Sequence, residues 1–378
     1  MTITAALCGF ALAFALALTA RMRDQPRAAG ALGALALFEG FLALMLVLEL
    51  AQRGGMAVLA GAEALPLPLL PVLLWRHLER LTGGATSQRD WFWAAVPAAL
   101  LLPFLCLPGG VRAELLTGVV RDVHAMHLLL ALGSVVAFWL ACLAVHLAMG
   151  WRIAVRLAAH RQRLRALYAA EGPGSLRAFA ALVGGVALAL GLQLADLVAS
   201  GLGGEILRGA AIEVFLAFVI FGFAAHGLLL RPLPEWAQEA VPQAASARRA
   251  AYARSGLTDA DLERLLTRLD QVMADTRLWA EPALSLKDLA DAAGMKPGYV
   301  SQALNQRRGV SFFDYVNGWR IDAACRLLAE TDMNVLDVAL AVGFNAKSTF
   351  NTAFRRLRGV TPSAWRATGP IGPVATAR

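Results

Sequence analysis

Residues 285–366 read SLKDLADAAGMKPGYVSQALNQRRGVSFFDYVNGWRIDAACRLLAETDMNVLDVALAVGFNAKSTFNTAFRRLRGVTPSAWR, and one pattern occurs in them twice. Ser285 and Asp288 form a capping box, in which each side chain satisfies an amide at the start of a helix. Leu286, Leu289, Ala290 and Ala293 then fall on one face, and Gly294 supplies a tight turn. A second helix follows with Val300, Ala303 and Leu304 inward. About fifty residues later Asn334 and Asp337 repeat the start. Val335, Val338, Ala339 and Val342 repeat the face, Gly343 the turn, and Phe350, Ala353, Phe354 and Leu357 the second helix. The pattern predicts two helix-turn-helix units. Between them Ser311 and Asp314 open a helix running to about Glu330. Twenty residues make a rod of about 30 Å, near the roughly 34 Å between successive major-groove faces on one side of DNA.

Helical geometry then selects the outward faces. With Val300 and Leu304 inward, Gly298, Ser301, Gln302 and Asn305 point out; with Phe350 and Phe354 inward, Ser348, Asn351, Thr352 and Arg355 point out. Lys347 stands at the N-terminal edge of its helix. Asn351 and Gln302 can offer a paired donor and acceptor to adenine, and Lys347 can donate to guanine. Arg307, Arg308, Arg355, Arg356 and Arg358 are placed for phosphates, which position a protein on DNA without specifying sequence.

Together these residues resemble the AraC/XylS-type DNA-binding domain. The most specific part is GFNAKSTFNTAFRRLRGVTPSAW, which carries that family's GF, SxF, FxR and GxxP signature. The usual basic residue after SxFx is here Thr352. The resemblance covers about a fifth of the chain, from Leu284 to Arg366. It implies base contacts at Gly298, Ser301 and Gln302 in the first unit, and at Lys347, Ser348, Thr349, Asn351 and Thr352 in the second. It names no ligand. Upstream, YARSGLTDADLERLL resembles the segment that joins multi-span membrane domains to such regulators. There Thr258 and Asp261 cap a helix with Leu262, Leu265, Leu266, Leu269, Val272 and Met273 as its apolar stripe, which packs on its own domain or pairs two chains.

Before this soluble region the composition changes. The 378 residues are 58% hydrophobic and 16% charged, too apolar for an ordinary soluble protein. Up to Leu230 the sequence is a series of apolar runs, at Ile3–Ala20, Ala28–Leu50, Gly55–Trp75, Trp91–Leu107, Leu128–Ala148, Ala178–Leu202 and Gly209–Leu230. Each is long enough to cross a hydrocarbon core of about 30 Å. Glu63, Pro66, Pro68 and Pro71 mark the third as a candidate broken or re-entrant span. The first run has Arg21, Arg23 and Arg27 after it and no basic region before it, which predicts a retained helix rather than a signal peptide.

Arginine orients the bundle. Loop one has Arg21, Arg23 and Arg27; loop three has Arg76, Arg80 and Arg89; loop five has Arg152, Arg156, Arg161, Arg163, Arg165 and Arg177. The even loops have Arg53, Arg112, Arg121 and Arg208. Twelve against four places the odd loops in the cytoplasm, the N-terminus outside and the C-terminal domain inside. Loop five, with Ile153, Val155, Leu157, Leu164 and Leu167 between its arginines, reads either as a basic amphipathic helix on the inner leaflet or as a solvated charge run.

Ionisable residues within the runs are Glu39, Glu49, Glu63, His146, Asp196, Glu213 and His226, each costly in lipid. Glu49, His146 and His226 lie near span ends, which leaves Glu39, Asp196 and Glu213 as the candidate signal site. His124 and His127 lack a third ligand, and Cys8, Cys106, Cys142 and Cys325 are scattered, so neither a metal site nor a disulfide framework is expected. No nucleophile, phosphate loop or cofactor motif accompanies them, and neither an enzyme nor a cofactor is expected.

The expectation is an all-α chain of four parts: a seven-span sensor domain over 1–230, a linker with an amphipathic helix over 231–283, a DNA-binding domain over 284–368 and a flexible tail over 369–378. It describes a bacterial cytoplasmic-membrane transcription regulator with promoter DNA and the lipid bilayer as partners. An unidentified small-molecule or membrane signal, RNA polymerase and a second copy of the chain complete the expected partners. The alternative is a transporter or anchor domain fused to an autoregulatory DNA-binding domain.

Overall fold

The computed structural model describes residues 2–26, 28–117, 125–169, 176, 179–186, 188, 209–229, 235–241, 250 and 252–368. The described residues are helical without a named strand; one isolated antiparallel bridge joins Tyr168 to Ser285. The chain divides into two units, residues 1–158 with 176–232, and residues 159–175 with 233–378.

The first unit contains α1 (Thr2–Asp24), α2 (Ala29–Arg53), α3 (Leu69–Leu81), α4 (Phe92–Leu105), α5 (Gly109–Thr117), most of α6 (Ala125–Arg165) and α7 (Gly209–Leu229). Ile3–Asp24, Ala29–Arg53, Ala57–Leu81 and Ala125–Arg165 are long and apolar enough to cross a membrane. Gln88–Leu105 and Gly109–Leu115 pass the same test only as a pair bent by 104°. The fourth expected span is therefore a broken element. Most of the sixth lies outside the described residues, and α7 occupies the position of the seventh.

Two boundaries differ from the sequence reading. Residues 57–59 and 62–64 form short 3-10 turns on either side of the left-handed Gly61, and the prolines that follow delay the α-helix to Leu69, with Pro71 in its first turn where a missing amide costs nothing. That helix then runs to Leu81, so Arg76 and Arg80 lie on it rather than in a loop. The fifth span does not end at Ala148, because α6 continues unbroken to Arg165 through the stretch read as loop five. Hydropathy falls there, but no proline interrupts the helical backbone. The arginines of loops three and five meet around it: Arg152 bridges Asp90 at 3.0 Å, Arg156 bridges Glu79 at 3.1 Å, and Arg76 donates to the Ser87 carbonyl at 3.0 Å.

The second unit contains α8 (Glu235–Ala240), α9 (Asp259–Thr276), α10 (Leu286–Ala293), α11 (Pro297–Ala303), α12 (Phe312–Glu330), α13 (Val335–Ala341), α14 (Lys347–Arg358) and α15 (Pro362–Thr368). The capping boxes at Thr258 and Ser285 are formed, and Ser311 and Asn334 cap α12 and α13. Leu289, Val300, Leu304, Val316, Ile321, Val338, Phe350 and Phe354 form a continuous core with the α9 stripe Leu262, Leu266, Leu269 and Met273. The α9 stripe thus packs on its own domain.

The two turn glycines are not equivalent. Both have left-handed backbones, φ 72° at Gly294 and 86° at Gly343, but a Cβ on Gly343 would sit 2.5 Å from the Ala280 carbonyl oxygen, whereas one on Gly294 meets nothing within 4 Å. Gly294→Ala is expected to cost about 1–2 kcal/mol, the left-handed penalty alone. Gly343→Ala adds a backbone clash and should cost visibly more. Thermal unfolding of the two variants checks the order, and equal losses would mean that the 280 loop yields freely.

Candidate nucleic-acid interface

The second reading helix is open. Phe350 and Phe354 are buried against Phe344 and Trp365, which turns the opposite face of α14 outward. Lys347, Ser348 and Thr352 are exposed, and Thr349 and Asn351 half-buried. The Asn351 amide oxygen Oδ1 is enclosed and has no hydrogen-bond partner within the described protein, an acceptor left unsatisfied beside the exposed Lys347, Ser348 and Thr352. The Thr352 hydroxyl donates to the Ser348 carbonyl at 2.9 Å and is thereby engaged with its own helix.

The first reading helix departs from expectation. Ser301 and Gln302, expected on an open face, are 2% and 3% exposed. Their orientation relative to Val300 and Leu304 follows helical spacing, but α8 packs on α11 and the Tyr252 hydroxyl lies 3.3 Å from Ser301 Oγ. Asn305 donates to the Ser301 carbonyl at 2.7 Å, and Gln302 to Gln306 at 2.9 Å. Gly298 is half-buried, with open space where a Cβ would stand. The cover comes from residues far upstream, which periodicity within α11 cannot reveal.

The arginines assigned to phosphates divide into two kinds. Arg308 pairs with Asp270 and lies over the Tyr315 ring, whose hydroxyl donates to the other Asp270 oxygen at 2.9 Å. Burial, then the Asp270 charge, pushes the Tyr315 hydroxyl far above its ordinary pKa. Arg358 pairs with Asp322 and lies over Trp365. These two arginines fasten helices together rather than standing free for DNA. Arg307 pairs with Glu263 at 2.6 Å and Arg356 with Asp314 at 2.5 Å, both at accessible positions where such pairs contribute about 0–1 kcal/mol and yield to competing anions. Arg355 is exposed at the end of α14.

The sequence reading missed Arg320. It is fully buried on α12, where Nε donates to the Trp279 carbonyl at 2.7 Å, Nη2 to Glu281 at 2.8 Å and Nη1 to Ala169 at 3.4 Å. Burial lowers its pKa to about 10, partly offset by Glu281. Its signal was its spacing, four residues after Val316 and four before Ala324 on the packed face.

In the first unit Glu39 is fully buried, and neither carboxylate oxygen has a partner. Asp196 lies outside the described residues, as does the Glu213 side chain on α7. A cavity of about 370 Å³ instead brings together Glu49, Glu63 and His146 among Leu46, Leu67, Trp139 and Phe215. Elsewhere in that unit His77 Nδ1 lies 2.8 Å from the Ala31 carbonyl and must donate to it, so in a neutral His77 Nε2 accepts from His226 at 3.2 Å. Among the described residues no group of three or more His, Cys, Asp or Glu side chains could hold a metal ion.

Comparison with known proteins supports the reading of the second unit. The helix-turn-helix domain family matches residues 289–368. The HTH-type transcriptional regulator YtdP of Bacillus subtilis is 35% identical over 86 residues, 23% of this chain and 11% of that protein. The transcription factor PqrA of Proteus vulgaris is 27% identical over 97 residues, 26% of this chain and 80% of that protein. A protein of Streptomyces lividans named as an AraC-like transcription regulator is 31% identical over 93 residues, 24% of this chain and 31% of that protein.

Residues 289–368 form an AraC-type helix-turn-helix domain. The likeness to these three covers about a quarter of the chain, and outside PqrA it spans a third or less of these relatives. All three are named as regulators of transcription rather than enzymes. An AraC-type domain accounts for the pairing of two reading helices by α12, whose 19 residues give about 28 Å between its ends.

Proposed function

We propose that the protein is a membrane-bound, sequence-specific transcription regulator of the bacterial cytoplasmic membrane, with its N-terminus outside and the AraC-type domain in the cytoplasm. The observation that carries DNA reading is the open face of α14, where Lys347, Ser348 and Thr352 are exposed opposite buried Phe350 and Phe354, with Asn351 half-buried beside them. Membrane residence is supported by the four long apolar helices and by large apolar residues left exposed along them, among them Leu16, Leu132, Leu140 and Leu147. Water tolerates few contiguous surfaces of that kind. The twelve-to-four arginine bias of the sequence supports this orientation.

A sensing role for the first unit is supported by its cavity, whose volume falls in the range of roughly 300–1,000 Å³ usual for small-molecule sites. Glu49 and Glu63 give it a polar region, with Arg53 paired to Glu49. Glu39, Asp196 and Glu213 remain proposed contributors on the ground that acids at membrane depth are costly without a compensating partner.

The test is genome-wide DNA occupancy of the full chain, combined with a reporter fused after Pro232. Discrete promoter peaks that vanish in Asn351→Ala, together with a cytoplasmic reporter signal, are expected. A periplasmic signal at Pro232, or occupancy insensitive to Asn351, would overturn the reading.

A further inference from the structure

The cover over the first reading helix is built from two pieces of chain, each following an apolar helix. One is the end of α6 and the residues after it. Leu286 donates its amide to the Leu167 carbonyl at 2.7 Å, and Ala169 donates to the Leu284 carbonyl at 3.0 Å, an antiparallel pairing that lays residues 167–169 along the start of the first helix-turn-helix unit. The other is α8, whose first residue lies six positions after the last residue of α7. Arg163 donates to the Ala237 carbonyl at 3.4 Å, and the Tyr168 and Trp236 rings meet edge to face at 6.0 Å. So the first piece holds the second. Ala237, Ala240 and Val241 are buried with Val300, Ala303 and Leu304 in a single core.

A covered reading helix cannot enter DNA. The major groove is about 12 Å wide and a helix with its side chains about 10–12 Å across, so the groove admits one helix and not α11 with α8 stacked on it. The residues beneath the cover are also the wrong kind for a permanent core. Ser301 and Gln302 are polar, and Tyr252, Asn305 and Gln306 meet their side chains with hydrogen bonds that water or a base edge could replace. An interface that never opened would favour apolar residues there, since burying a hydrogen-bonded polar group yields little net stability.

We infer that α8 and Tyr252 are an internal competitor of DNA for the first reading helix. The structure then describes a closed state with one reading helix available, and the open state has two. Both holding segments are joined in sequence to apolar helices, so a change in the first unit can alter the cover without touching α11. This inference rests on the DNA-binding reading above.

The experiment uses the full chain in lipid nanodiscs and DNA fragments enriched by that chain from a randomised pool. Hydroxyl-radical footprinting of the parent should show strong protection at one major-groove face. Ala237→Asp, which puts a charge into the α8 contact, should extend protection to a second face about one helical turn away and tighten binding about tenfold or more, as removing a dominant closed state requires. Tyr252→Phe removes only the hydroxyl contact to Ser301 and should shift both readouts in the same direction by less. Hydrogen exchange supplies a second readout: DNA added to Ala237→Asp should slow exchange across 297–303, while DNA bound by the parent through one face should leave exchange across 235–241 no slower. Two protected faces in the parent, a one-face footprint unchanged in Ala237→Asp, or protection of 235–241 by DNA would each overturn the inference. If Asn351→Ala abolishes discrimination while these results hold, the cover is refuted and the DNA-binding reading survives; if no fragment is enriched at all, it is the DNA-binding reading that fails.

Discussion

Arg320→Met should destabilise the second unit by about 3 kcal/mol, because it leaves the Trp279 and Glu281 carbonyls without their donors at about 1–3 kcal/mol each. The loss is tempered by relief of a buried charge, which is why the figure stays below the sum of its parts. Arg320→Lys is the informative comparison. It keeps the charge in the same dry site but presents a single ammonium where a planar fork now serves carbonyls on separate segments. Lysine should therefore be no better than methionine, and both should lower the melting temperature of the unit by roughly 6–12 °C. Protection of the 279–286 amides in hydrogen exchange should fall with it. Restoration of parental stability by lysine would show that the charge, rather than the fork, is what the site requires.

The second large effect concerns α14. Asn351→Ala should reduce discrimination between enriched and scrambled DNA by about 1–3 kcal/mol, the value of a bidentate amide-to-adenine pair. Arg356→Ala should instead weaken both DNAs equally and flatten the dependence of binding on salt, since its role is to neutralise phosphate. Its pairing with Asp314 is no obstacle, because both partners are accessible and such a pair is easily exchanged. Thr352→Ala should change little, its hydroxyl being bonded to Ser348. Binding to both DNAs at two salt concentrations separates these cases, and a uniform loss from Asn351→Ala would remove it from the base-reading set.

Much of the second unit is legible in the sequence, since its signals are local. A cap at Thr258, Ser285, Ser311 or Asn334 is decided within four residues, and the buried faces of α10, α11 and α14 follow from spacing within one helix. What escaped depends on partners distant in sequence. Nothing within α11 shows that α8, some sixty residues earlier, packs on it, or that Ser301 and Gln302 are buried. Arg308 and Arg358 are basic residues at the ends of reading helices, and only the positions of Asp270 and Asp322 reveal them as fasteners. Arg320 was readable from the Val316, Ala324 and Leu328 stripe, but a charged residue is usually assigned to the surface. In the first unit hydropathy located the apolar runs and misplaced an end. It registers where lipid would stop, whereas the α6 backbone stops only where its own hydrogen bonds run out.

The pairing of residues 167–169 with 284–286 bears on anyone who would cut the AraC-type domain out as a soluble fragment. A cut just before Thr258 removes α8 and Tyr252 from the first reading helix, and with them the backbone hydrogen-bond partners of Leu284 and Leu286 and the Ala169 carbonyl held by Arg320. The fragment would be freer to engage DNA and less able to stay folded. Its affinity and its stability would each misreport the parent, in opposite directions.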